Sequence, residues 1–170
     1  MATDPKERLL QWLRDAHAME AQAETMLKAQ SERIKHYPAL EARIAEHIKE
    51  TEGQKQLLEG CITRLGGSIP TMKDAAGKMM ATFQGLGGAM MSDEVVKGMG
   101  ISYAFEHLEQ ATYRALIAAA DACGDAETRR VCEQILEQEE AMGRWLAENQ
   151  AQVVQAFLAR DAAPDTEAKR

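Results

Sequence analysis

Aromatic residues are scarce in this chain, only 5% of its 170 residues. Strands draw on aromatic and β-branched side chains, so this scarcity, beside frequent Ala and Met, argues for helices packed on helices. Cysteine is equally sparse. Cys61, Cys123 and Cys132 are odd in number and form no CxxC, which reads as small apolar core residues of a reduced compartment rather than a disulfide framework. No stretch approaches the length of a membrane span. No N-terminal segment joins a charged start to an apolar run, so no secretory signal is expected and the expected location is cytoplasmic. Positive charge is in deficit and unclustered, with 20 Lys and Arg against 27 Asp and Glu and a net charge of −7. That balance disfavours nucleic acid and an anionic membrane surface as partners.

What the chain does have is long helical periodicity. Hydrophobic residues make up 45%, enough for one packed domain of this length. Asp4-Pro5-Lys6-Glu7 reads as a helix start, and Leu9, Leu13, Ala16, Ala23, Leu27 and Ile34 follow at helical spacing. Pro38 should end this first helix near His36-Tyr37 and open the second. The second carries Leu40, Ile44, Ile48, Leu57, Leu58, Cys61, Ile62 and Leu65, and Gly66-Gly67 ends it. The segment from Ser68 to Gly100 is rich in Gly and Met; a short helix is expected near Met72–Gln84 and a glycine-rich loop through Ala89. Ser92-Asp93-Glu94 starts a third long helix running to about Ala122. Gly124-Asp125 breaks it, and a fourth follows with Val131, Ile135, Leu146, Val153 and Phe157. Residues 1–160 should form one domain, and 161–170 a disordered polar tail. Two tight hairpins joined by one long crossover describe an all-α, ferritin-like antiparallel four-helix bundle, here with a short fifth helix in the crossover.

Each inward stripe is interrupted by glutamate. In the first helix Glu20 falls between Ala16 and Ala23, and in the last Glu139 falls between Ile135 and Met142. In the third, Tyr103, Glu106, Glu109 and Tyr113 share a face. In the second, His47, Glu50, Gln54, Leu57 and Cys61 do. Converging buried carboxylates are costly unless a cation compensates them. Glu20, Glu50, Glu106, Glu109 and Glu139 are therefore candidate ligands of a carboxylate-rich di-metal centre of iron or manganese, with His47, Gln54, Tyr103 and Tyr113 as neighbours or extra ligands. Ala18-Met19-Glu20 echoes Ala104-Phe105-Glu106, which suits a metal pair between two hairpins. Glu24, Glu137 and Glu140 are expected on flanks or in solvent, and His17 and His36 at the surface. The crossover methionines, Trp12 and Trp145 suit packing or an association face.

Three segments carry a family likeness: His47-x-x-Glu50-Thr51-x-x-Gln54, Glu106-His107-x-Glu109 followed by Tyr113, and Leu136-Glu137-x-Glu139. Together they resemble the YciE/YciF stress-protein family of bacteria, over nearly the whole chain from Glu7 to Phe157. The resemblance implies a rubrerythrin-like bundle, a homodimer, a cytoplasmic location and a link to stress. It supplies no reaction and no small-molecule substrate. In the wider superfamily, the second and fourth helices carry Glu-x-x-His. Glu50 and Glu139 match those glutamates, while Gly53 and Met142 stand where the histidines would be. Function then divides between a stress-associated di-metal protein with redox or peroxide chemistry and a non-enzymatic structural or interaction bundle with a vestigial site.

Overall fold

The computed structural model describes residues 4–71, 92–164 and 166–168. Four long helices account for most of them: α1 (Pro5–Arg33), α2 (Pro38–Arg64), α3 (Glu94–Cys123) and α4 (Ala126–Asp161). The crossover helix expected near residues 72–84 lies outside the described residues.

Local chemistry sets the helix ends. The Asp4 carboxylate accepts the Lys6 amide at 3.0 Å and Pro5 occupies the first turn of α1, which uses an otherwise unpaired N–H and a preset φ. Gly66 and Gly124 take φ of 78° and 66°, the left-handed region that lets a helix stop in one residue. Asp125 then caps α4, accepting from the Thr128 amide at 3.1 Å, and Arg64 donates to the same carboxylate at 2.6 Å. The end of α2 is thereby tied to the α3–α4 corner. One boundary differs from expectation: α1 stops at Arg33, short of His36-Tyr37. Ile34 turns to extended backbone, and Ile34 and Tyr37 are both buried. Packing of these two side chains under the corner thus unwinds the helix before Pro38 acts on its neighbour.

Inward positions recur at alternating steps of four and three along every helix. In α2 they are Leu40, Ile44, His47, Thr51, Gln54, Leu58 and Cys61, and in α3 Val95, Met99, Ser102, Glu106, Glu109, Tyr113, Leu116 and Ala120. Such spacing keeps one stripe facing neighbours that cross at a shallow angle. The stripes make three layers. One apolar layer joins Leu9 and Leu13 of α1 to Leu58 and Ile62 of α2, Leu116 and Ala120 of α3, and Val131 and Ile135 of α4. The other joins Leu27 and Ile34 to Leu40 and Ile44, Val95 and Met99, and Met142 and Leu146. Helices α1 and α4 therefore run one way, and α2 and α3 the other. The packed pairs are α1–α2, α3–α4, α1–α3 and α2–α4, which is the ferritin-like arrangement. Arg64 and Glu94 accordingly sit at opposite ends of the bundle. Beyond α4, residues 166–168 lie back on the α1–α2 corner, where the Tyr37 hydroxyl donates to the Ala168 carbonyl at 2.6 Å. Among the described residues no helix is long and apolar enough to cross a membrane.

Candidate metal centre

Between the two apolar layers lies a polar one. Glu20 of α1, His47, Thr51 and Gln54 of α2, Glu106 and Glu109 of α3, and Glu139 of α4 are all buried, with Glu20 and Glu139 at 0% exposure. The four-three stripe accounts for this. Each of these residues occupies a position on a stripe that turns apolar towards both ends of the bundle, so the backbone carries it inward whatever its polarity.

Within the layer, His47, Glu106, Glu109 and Glu139 each offer a ligand atom, and these atoms lie within 4.8 Å of one another. His47 Nε2 stands 3.4 Å from Glu106 Oε2 and 3.5 Å from Glu139 Oε2, too far for well-made hydrogen bonds. The other ring nitrogen, Nδ1, is 2.6 Å from Glu50 Oε2, and Arg43 donates to that oxygen at 3.1 and 3.2 Å. Glu50 thus lies behind His47, with its side chain partly exposed, and not among the oxygens facing the centre. Glu20 accepts a hydrogen bond from the Tyr113 hydroxyl. The Gln54 amide donates to Glu139 and, at 3.0 Å, to Gln138. Tyr103 is placed elsewhere. It is 41% exposed and packs its ring at a tilt against His107, with ring centroids 4.3 Å apart.

Donors run out before acceptors do. Glu20 Oε2, Glu106 Oε2, both oxygens of Glu109, Glu139 Oε2 and Gln54 Oε1 are buried without a hydrogen-bond partner. Buried polar atoms are nearly always paired, so a set of acceptors turned toward one another calls for a cation or for protons. The electrostatics agree. Burial, reinforced by Glu139, pushes the Glu20 carboxyl well above its ordinary value. Burial and then Glu20, Glu139 and Glu106 do the same to Glu109. Burial lifts Glu106 to about 7. Burial opposes charge on His47, but Glu106, Glu139 and Glu50 outweigh it and hold the imidazole well above its usual range. Glu50 goes the other way: burial raises it, and His47 with Arg43 lower it further than that. The Tyr113 phenol is raised by burial and by Glu20 beside it.

These shifts fix the sign of a pH effect. Raised carboxyls and a raised histidine mean that the folded, metal-free protein binds more protons than the unfolded chain. The stabilisation these raised groups give is therefore fully present below the ordinary carboxyl value of 4.5 and is lost as pH rises through about 7. Urea midpoints in chelator, measured between about pH 5 and pH 8, should decline; a rising midpoint over that window would contradict the electrostatic reading.

Other expectations sort plainly. Glu24 pairs with Lys28 and Lys55, Glu140 with Arg114, and Glu137 is exposed. His36 is exposed, but His17 is not at the surface. It is 6% exposed and 2.9 Å from Glu59, because position 17 adjoins the inward position of Ala16 and α2 supplies a partner for the ring. Three participants escaped the sequence reading: Arg43, Gln110 and Gly143. Arg43 stands two turns before Glu50, a spacing visible in sequence. The Gln110 amide donates to the Glu139 carbonyl at 3.2 Å, and a Cβ on Gly143 would come within 2.9 Å of that amide nitrogen; neither contact has a sequence signal.

Comparison with known proteins places this site in a family context. The family described as "Domain of unknown function (DUF892)" matches residues 4–159. A crystal structure of a protein from Xanthomonas campestris pv. campestris is 48% identical over 94% of this chain and all of that one, with a TM-score of 0.81. YcfI from Rhodopseudomonas palustris, described as "a putative structural protein", is 25% identical over 85% of this chain and 94% of its own, with a TM-score of 0.72.

Proposed function

This chain belongs to the DUF892 family, and on that footing we propose that its central layer holds a pair of iron or manganese ions used in redox or peroxide chemistry under stress. The observation that carries the reading is the set of inward carboxylate oxygens without donors on Glu20, Glu106, Glu109 and Glu139. Oxygen-rich donor sets with a single nitrogen suit iron or manganese over softer ions. When bound, such a pair supplies redox equivalents and Lewis acidity. The chain's own residues do the holding. Glu106, Glu109, Glu139 and His47 Nε2 surround one position, and Glu20 faces the layer from α1. Glu50, included among the ligands on sequence, acts on His47 instead: its hydrogen bond to Nδ1 leaves Nε2 free to turn toward the centre.

A second reading has its own support. Tyr113 donating to Glu20 and Gln54 donating to Glu139 partly satisfy the layer without metal, and protonation of the raised carboxyls would do the rest. The chain would then be a structural bundle, the role given in the description of YcfI.

Thermal unfolding near pH 7.5 separates the two. Each iron(II) or manganese(II) ion bound at a thousandfold excess over its dissociation constant should stabilise the protein by about 4 kcal/mol. For a chain of this size that is a rise of roughly 8–16 °C in Tm. No rise with either ion favours the structural bundle. Glu50→Gln should weaken metal binding by about 10–100-fold, the range for partners of a ligating histidine; unchanged affinity in a calorimetric titration would remove Glu50 from that role.

A further inference from the structure

A depression of about 370 Å³ opens between α3 and α4, directly over the polar layer. Its floor is Gln110 and Gly143. Gly143 belongs to the inward stripe of α4, one turn beyond Glu139, and is buried. A Cβ there would lie 2.9 Å from Gln110 Nε2 and 3.6 Å from Glu106 Cβ. The Gln110 side chain in turn reaches the Glu139 backbone. Beneath the Gln110 side chain and the bare Gly143 backbone thus lie the Glu106 Cβ and the Glu139 carbonyl, which belong to two residues of the cluster.

The rim has a distinct charge. Arg144 is exposed and makes no ion pair with a described residue, while Glu140 beside it is engaged by Arg114 at 2.5 Å. His107 and Tyr103 complete the rim with a tilted ring contact, the His107 Nδ1 lying 2.9 Å from the Tyr103 carbonyl. A guanidinium without an ion-pair partner among the described residues, beside a partly neutralised carboxylate, favours small anions and small polar molecules at this mouth.

We propose that the α3–α4 depression is the port through which small anionic or polar reactants, of the size of azide or peroxide, reach the central layer, with Gln110 over Gly143 as its inner closure. This rests on the metal-binding reading of that layer.

The test uses full-length protein loaded with iron and azide as the probe. Metal content is determined first, and azide association is then followed by absorption. Gly143→Val should retain its metal and slow association about tenfold, since a Cβ only 2.9 Å from Gln110 Nε2 pushes that amide into the depression. Arg144→Glu, an exposed change that spares the core, should slow azide by about tenfold and flatten its dependence on salt, the size of a modest steering effect. Nitric oxide, a neutral probe, should be slowed by Gly143→Val and not by Arg144→Glu. Wild-type protein that takes up no iron would overturn the metal reading and the port with it. Protein that holds iron but binds azide at one rate in all three forms, or not at all, would overturn the port alone.

Discussion

Glu139→Gln is expected to abolish metal retention while leaving the metal-free protein at least as stable as wild type near pH 8. The change keeps the volume of the side chain, so no cavity opens. It removes one charge from a buried set in which Glu139 raises both Glu20 and Glu109. Relief of that repulsion stabilises the metal-free fold. With metal the sign reverses, because an amide is a poor substitute for a carboxylate facing a cation. Affinity should fall by more than about 100-fold, beyond the loss typical of residues that only support a ligand. The roughly 4 kcal/mol of stabilisation conferred by each bound ion should go with it. Urea unfolding with and without manganese(II) reads both halves at once. A variant that is less stable without metal and equally stabilised by it would refute the role assigned to Glu139.

Leu13→Ala should have the opposite profile: a large loss of stability and little change in metal affinity. Leu13 is fully buried in the apolar layer with Leu58, Leu116 and Ile135. Truncating a buried leucine removes its transfer free energy and leaves a cavity, costing about 2–5 kcal/mol. The urea midpoint should drop with an unchanged m-value, since the surface exposed on unfolding is nearly the same. Because the apolar layer is built from other turns than the polar one, the metal dissociation constant should stay within a few-fold. Joint loss of both would mean that the two layers are not energetically separate.

Much of this architecture is legible before any coordinates. Asp4-Pro5, Pro38 and Gly124-Asp125 act through local sterics and capping, and so mark helix ends in the sequence itself. Glu20 and Glu139 stand out because each interrupts an otherwise apolar stripe. Glu106 and Glu109 are read inward because Tyr113 and Leu116 continue their face. The second helix is harder. His47 and Glu50 are three residues apart, so they differ by only about 60° around the helix axis. With polar residues on both sides of that stripe, nothing local decides which of them points inward. The decision is tertiary: Arg43 holds Glu50 outward, and His47 turns toward two carboxylates on other helices. His17 is the same kind of case, since its partner Glu59 is 42 residues away in sequence. The early end of α1 depends on a corner packed by Ile34 and Tyr37. Gln110 above Gly143 depends on two helices meeting at one height. Pattern in a single helix reaches as far as which face a residue occupies; which neighbour it meets there needs the bundle.

Cations either compensate the buried glutamates or do not, and metal stoichiometry measures that most directly. Protein purified without chelator, incubated anaerobically with iron(II) or manganese(II) and desalted, should retain about two ions per chain by elemental analysis, as carboxylate-bridged bundles do. The Glu139→Gln variant treated identically should retain essentially none. A wild-type chain that leaves the column free of metal after exposure to both ions would contradict the central claim.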